Sequence, residues 1–462
     1  MSRRHVPAVL GLVAGVLVAV PAPAAHAATL QVPCSVPELV AAINAANGSP
    51  GPDTLQLAHT CTYELTAPDP VNPGNGLPVI TSEITIDGRG ATIKRDERGH
   101  KVPRFRILLV GPTGNLTLDR TTVSGGYATD CPAFPDPPGL ACGGGISNTG
   151  RMSVTRSRIT GNTSRSDVFA QGGGIDNPGT GSVSGTEVSA NHVIYSGSDL
   201  GSGAAGGAIA NDGPLTVTDS RLTGNTATVT ENTQSFAFGA GIISFAETTV
   251  RDTVISKNRA FARGGFARAA VSNGIPEPGR MTITGGGITA NTSDSPHGVA
   301  QGGGIANNAL MTVSGVKISG NRAVAENGTA RGGGVRVGPF GTLALSDSQI
   351  TGNTADAPGG TAQGGGLDNP DGGRLTAKRN KVLRNTAVAK GGTAQGGGLY
   401  HAGGTEELGS TTLEENTLTR NRAGDGGGIF TASGVLTLNG DDVRANRPNN
   451  CRPAGAVPGC TD

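Results

Sequence analysis

The chain of 462 residues carries 77 glycines and no tryptophan, only 15% of it is charged, and its formal net charge is +1. That balance argues against a helical bundle or a doubly wound globule. With Arg3 and Arg4 removed, 34 basic residues face 35 acidic ones, with no long run of either sign, so electrostatic capture of nucleic acid or anionic lipid is not expected.

The first segment, "MSRRHVPAVLGLVAGVLVAVPAPAAHA", places two arginines before an apolar run and ends on Ala25-His26-Ala27. That order predicts a signal peptide at 1–27, cleaved after Ala27, with the general secretory route preferred over the twin-arginine one. The apolar run stops at Pro21, which is short for a bilayer span. A secreted, extracellular protein with no membrane span after processing is the expectation, and a monomer is expected.

Residues 28–65 are read as an N-terminal cap. Within them "CSVPELVAAINAAN", Cys34 to Asn47, is an amphipathic helix with Val36, Leu39, Val40 and Ile43 on one side. "TYELTA" and "SEITIDGRGATIKR" follow as the first strands. The six cysteines fall into sequence-local pairs, Cys34 with Cys61, Cys131 with Cys142 and Cys451 with Cys460. Outside the cell they are expected to form three disulfides. The sequence alone allows 15 pairings, and short loops favour the local one.

From 66 to 445 the chain repeats. Glycine-rich cores recur as "CGGGISN" at Cys142, "QGGGIDN" at Gln171, "QGGGIAN" at Gln301, "RGGGVRV" at Arg331, "QGGGLDN" at Gln363 and "QGGGLYH" at Gln395, with looser copies between and after them. Each leads through a turn into a segment such as "RMSVTRSRITGNT" or "LMTVSGVKISGNR". Period-two alternation of β-branched residues marks strands, and the closing Gly-Asn marks a turn. Strands this short cannot bury a face alone, so each unit stacks on the next. The expected fold is all-β, a right-handed parallel β-helix of about 10 to 13 coils with a short N-terminal helix and a closing loop at 446–462, forming a rod about 50 to 60 Å long at strand spacing. Two asparagine series, one through Asn148, Asn177, Asn211, Asn273, Asn307 and Asn369, the other including Asn162, Asn225, Asn321, Asn353 and Asn385, are expected to stack as ladders.

"CSVPELVAAINAAN" resembles the CSLREAI-type motif that precedes secreted bacterial right-handed parallel β-helices, departing from it at Val36 and Pro37. The units from Gly143 onward resemble the repeats of polymorphic outer membrane proteins and of the pectin-lyase-like superfamily. The resemblance implies the β-helix and a scaffold shared by lyases, hydrolases and adhesins; without a C-terminal membrane barrel, autotransport is not expected.

Two groups of residues could carry function. In the strand after each triplet, the residue between the aliphatic and the asparagine is expected to face outward. That row reads Ser147, Asp176, Ala210, Ser272, Ala306, Arg336, Asp368, Tyr400 and Thr431. Arg336, Asp368 and Tyr400, with His401 beside them in a ladder place, are the catalytic candidates: Tyr400 or His401 as base and Arg336 as the cation for a uronate. Asp176 and Asp368 lie about 29 Å apart at strand spacing, too far for a pair of hydrolytic carboxylates. The binding candidates are Phe169, Tyr195, Phe236, Phe238, Phe261 and Phe266, placed to stack on sugar rings or a protein. No metal or cofactor is expected, since neutral glutamines precede most triplets and no Lys-Ser or Lys-Thr follows them. The sequence therefore favours a secreted, non-catalytic β-helix protein that binds a polysaccharide or a cell-surface protein, with an extracellular polysaccharide lyase or hydrolase as the alternative.

Overall fold

A computed structural model of the chain describes residues 27–461, apart from 97–101, 135–138, 232–233, 269, 275–278, 371 and 404–408. The signal peptide expected at 1–27 therefore lies outside the described residues but for its last position. One coil shows the path of the others. From Ile175–Asn177 (sheet 1) the chain turns into Thr180–Ser184 (sheet 2), then Glu187–Ser189 (sheet 3), His192–Tyr195 (sheet 4) and Gly203–Ala205 (sheet 5), and re-enters sheet 1 at Ile209–Asn211. Each strand pairs in parallel with its counterpart one unit on, as in Thr282 with Thr312 and Ile283 with Val313. Among the described residues the five sheets hold 12, 14, 13, 9 and 9 strands. The parallel β-solenoid expected from the repeats is therefore the fold, and the fourteen strands of sheet 2 span about 60 Å at ordinary strand spacing.

The coil is divided into two compartments. Sheets 1, 2 and 3 turn their aliphatic residues, such as Ile175, Val183 and Val188, into one core that runs from Val32 to Val457. In Arg151–Thr155 the alternation is visible directly, with Met152 and Val154 buried and the residues between them outside. Sheets 4 and 5 pack on each other through a separate seam, largely alanine: Ala170, Val193, Ala204 and Ala227 in one stretch, Ala300, Ala323, Ala330 and Ala355 in another. Small side chains let these two sheets approach closely, so they form a thin flange beside the three-sheet prism.

The glycine triplet builds the neck between flange and prism. In "GGG" 172–174 the first residue has φ +61°, which glycine adopts without strain. A Cβ on Gly173 would lie 2.5 Å from the Gly207 carbonyl oxygen and 2.7 Å from that of His192, where sheet 4 begins. A Cβ on Gly174 would lie 3.0 Å from the Asn191 carboxamide. The two chain segments thus cross backbone against backbone. Ala240 in the middle place and Ala208 and Ala270 in the third are each fully buried, so isolated coils admit a methyl group there.

The asparagines of the Gly-Asn turns seal this neck. Asn162 donates through Nδ2 to Oδ1 of Asn191, and the chain of bonds continues through Asn225, Asn258, Asn291, Asn321, Asn353, Asn385, Asn421 and Asn446 to Asn450, at 2.9 to 3.2 Å throughout. Each carboxamide oxygen also accepts a backbone N–H from the coil before, as Asn353 does from Asn321 at 2.9 Å. The second Nδ2 proton goes to a carbonyl, as from Asn321 to Ile288. Polar groups that would be costly to bury unpaired are therefore paired on every coil. The other asparagine series is a ladder only in part. Asn148, Asn177 and Asn211 are linked, as are Asn273 and Asn307, while Ser244, Val337 and His401 occupy the same place in other coils.

The ends are closed by chain rather than by repeats. The helix α1, Val36–Gly48, buries Leu39, Ile43 and Ala46 against the prism core, with Val36 and Val40 packed at its margin. Strands Thr29–Val32 and Asp53–Leu57 lie at the start of sheet 2, so strands begin earlier than "TYELTA" suggests. All three disulfides pair as the local spacing indicated. Val457 inside the Cys451–Cys460 loop is buried on the last coil.

The neck sets two expectations. Asn321→Ala removes the acceptor of both Asn291 donors and the donor to Ile288, and is expected to lower stability by at least about 2 kcal/mol in urea unfolding. Gly333→Val, whose Cβ would fall 2.3 Å from the Thr354 carbonyl carbon, is expected to yield no folded protein. Gly224→Ala, at φ +67° with no atom within 4 Å, is expected to cost only about 1 kcal/mol of backbone strain.

Candidate functional site

The triplet bends the chain so that the residue before it, on sheet 5, and the middle residue of the next sheet 1 strand point into one concave corner outside the coil. Gln171 and Asp176 meet there at 2.9 Å, Nε2 to Oδ1. Further along, Ala205, Ala210 and Ile243 form the floor of the corner, with Phe169, Phe238 and Phe245 against it. The middle residues of sheet 1 were expected on an exposed face, and the structure corrects this: Ser147, Asp176, Ala210, Ser272, Ala306, Arg336, Asp368 and Tyr400 are all buried. The row from sheet 5 covers them because the surface is concave. Register also replaces Thr431 in this row by Phe430, which stacks on Tyr400 with ring centroids 5.8 Å apart.

Adjacent strands do bring Arg336, Asp368 and Tyr400 together in this corner. His401 does not join them. It takes the ladder place under the strand, is fully buried, and has Nδ1 3.1 Å from the Thr411 hydroxyl. Arg336 Nε stands 3.6 Å from Asp368 Oδ2, beyond hydrogen-bond range. Burial pushes the Asp368 carboxyl up to about 6 although Arg336 and Arg331 oppose it, and burial likewise lowers Arg336 against the pull of Asp368. Both shifts say that desolvation outweighs the attraction between these two groups.

At the other end of the corner lies a second acid that sequence reasoning missed. The Gln171 carboxamide that bonds Asp176 also reaches Asp212 Oδ2 at 3.4 Å. Ser147 donates to Asp176 from the preceding coil at 3.3 Å. Asp176 is raised to about 7, first by burial and then by the charge of Asp212, whose own carboxyl is raised by burial. The signal was present in "IANDG", where an acid follows the ladder asparagine one coil after Asp176. Nearby, fully buried Arg106 is held by Asn75, Asp130 and the Cys142 carbonyl. Asp176 also lies within 4.8 Å of the sulfurs of Cys131 and Cys142, but these are bonded to each other and offer no thiolate to a metal.

The aromatic candidates divide by strand parity. Phe169, Phe236, Phe238 and Phe266 stand on the outer side of sheet 5 and line the corner. Phe236 and Phe238 stack at 4.5 Å, Phe169 lies 6.0 Å from Phe236, and the Arg268 guanidinium sits 4.3 Å over Phe238. Phe266 is 42% exposed and the other three are half-buried. Tyr195 leaves the set, because it points into the flange seam with no exposed surface and donates to the Asp199 carbonyl. Phe261 faces outward from sheet 4, on the other side of the flange, beneath Arg259.

No family model and no curated protein matches this chain. Among solved structures it is similar to a crystal structure of a periplasmic alginate epimerase, at 11% identity and a TM-score of 0.26, over 85% of this chain and 77% of that one. Fold and corner together define a parallel β-solenoid with a lateral groove.

The raised carboxyl of Asp176 has a consequence for stability. Well below pH 4 folded and unfolded chains both hold its proton, so it contributes nothing; between the ordinary aspartate range and about 7 only the folded chain holds it. Stability is therefore lost as pH rises through that window. Asp176→Asn is expected to raise the melting temperature at pH 8 and to leave it unchanged near pH 3.5, read by circular dichroism.

Proposed function

We propose that this chain is an extracellular, non-catalytic binding protein that holds a linear polysaccharide along the groove between flange and prism. The observation that carries the reading is the row of accessible aromatic rings, Phe169, Phe236, Phe238 and Phe266, on three coils within a run of four along one groove wall. Ring faces in such a row offer apolar contact to successive sugars at little cost in side-chain entropy. Three disulfides fit export to an oxidising compartment, as does the signal peptide expected at 1–27 from the sequence. Among the described residues no helix is long and apolar enough to cross a membrane. A monomer suffices, since one chain supplies the whole groove.

Lyase chemistry through Arg336, Asp368, Tyr400 and His401 is set aside. A base must reach a C–H bond of the substrate, and of the two base candidates His401 has no exposed surface while Tyr400 is 7% exposed and stacked on Phe430. Hydrolysis stays as the second reading on one observation, the partly exposed carboxyl of Asp212, which shares the Gln171 amide with the buried Asp176. Release of reducing ends from a glycan panel, lost in Asp212→Asn, would put this reading first.

The binding reading is tested on a glycan array. The double variant Phe236→Ala/Phe266→Ala is expected to weaken binding at least about tenfold, or 1.4 kcal/mol, while Phe261→Ala on the far side of the flange leaves it unchanged. Equal loss in both variants, or binding by neither the wild type nor the variants, contradicts it.

A further inference from the structure

Beyond the aromatic stretch the corner becomes cationic. Arg268 and Arg331 rise from sheet 5, on either side of Gln301, and Arg336 rises from the facing strand of sheet 1. Asp368 is the buried acid beside them. Their hydrogen bonding is incomplete among the described residues. Arg336 is 6% exposed and its Nε has no hydrogen-bond partner; the same is true of Arg331 Nε, of both Asp368 oxygens and of Gln363 Oε1. Arg268 alone is held, by Gln301 Oε1 at 3.0 Å and by the face of Phe238.

Burying a guanidinium without acceptors costs several kcal/mol, and one carboxylate at 3.6 Å does not offset the buried Arg336 together with the half-buried Arg331. What the arrangement lacks is an acceptor with several oxygens. A compact oxyanion meets two guanidinium forks at once and brings the missing negative charge. The residues on the two sheet 1 strands before Arg336, Ser272 and Ala306, are small and offer no competing charge.

We propose that Arg331 and Arg336 form an oxyanion subsite at the cationic end of the groove, taking a carboxylate or sulfate group. This deepens the glycan reading and rests on it only for the carrier of the anion: the polysaccharide would be an acidic one, its plain rings on the phenylalanines and an acidic unit on the arginines. Asp368 competes with the anion for the same two arginines.

The test uses the mature secreted chain and sodium sulfate, titrated against sodium chloride at constant ionic strength and read by the melting temperature. Sulfate is expected to raise the wild-type midpoint saturably. The shift should disappear in Arg331→Gln and Arg336→Gln, and its half-saturation should fall several-fold in Asp368→Asn, where the internal competitor is gone. If Arg336→Gln does not fold, Arg331→Gln and Asp368→Asn decide. Equal shifts in wild type, Arg331→Gln and Asp368→Asn, or none in the wild type, overturn the subsite. Two glycan arms separate the carriers, a uronate oligosaccharide and a sulfated neutral one, each with Arg331→Gln expected to weaken it. Sulfate binding without any glycan binding would sink the glycan reading and keep the subsite. Glycan binding unaffected by Arg331→Gln, with no sulfate shift, would do the reverse.

Discussion

The structure depends on one crossing. In each coil that carries the flange the chain leaves the prism, runs out and returns, and where the glycine triplet is present the outgoing and returning segments touch backbone to backbone. A contact that close leaves no space for side chains and would strand polar groups away from water. The asparagine ladder resolves this by giving each coil a carboxamide that bonds the next carboxamide, the next backbone and a carbonyl of the strand behind it. Because the bonds run between coils, no unit is complete alone, which is the solenoid's nearest-neighbour character in atomic form.

Function follows from the shape the crossing imposes. A closed prism has only convex outer faces, whereas a prism with a flange acquires a concave corner. Side chains that leave the coil at this corner are sheltered by each other. That is how Asp176, Arg336 and Asp368 lie outside the core and still have carboxyl and guanidinium groups shifted by burial. It also confines apolar rings to one wall of the corner, in line with the coil axis, where a chain-like ligand rather than a compact one would meet them.

The repeat, the helix near Leu39 and Ile43, the disulfides and the strand alternation were legible because each is a local pattern with a local cause. The exposure of Arg336, Asp368 and Tyr400 was not. Alternation tells whether a residue points into or out of the coil, and says nothing of whether the outside is convex or sheltered. The same limit applies to the aromatics: Tyr195 and Phe261 look alike in sequence, and only the parity of sheet 4 turns one into the seam and the other to solvent. Asp212 lay hidden because its partner is reached through Gln171, across 41 residues of chain, in a corner that no single repeat reveals.

Amide hydrogen exchange along the neck tests most directly whether the crossing holds the rod together. Backbone N–H groups of the ladder asparagines, from Asn162 to Asn421, each donate to the carboxamide of the next coil. They are predicted to exchange only with unfolding of the rod, while amides of the alanine flange at Phe169–Gln171 and Thr329–Arg331 exchange earlier and without loss of the prism. Fast exchange at the ladder asparagines with the flange still protected would contradict the claim that the neck holds the two compartments together.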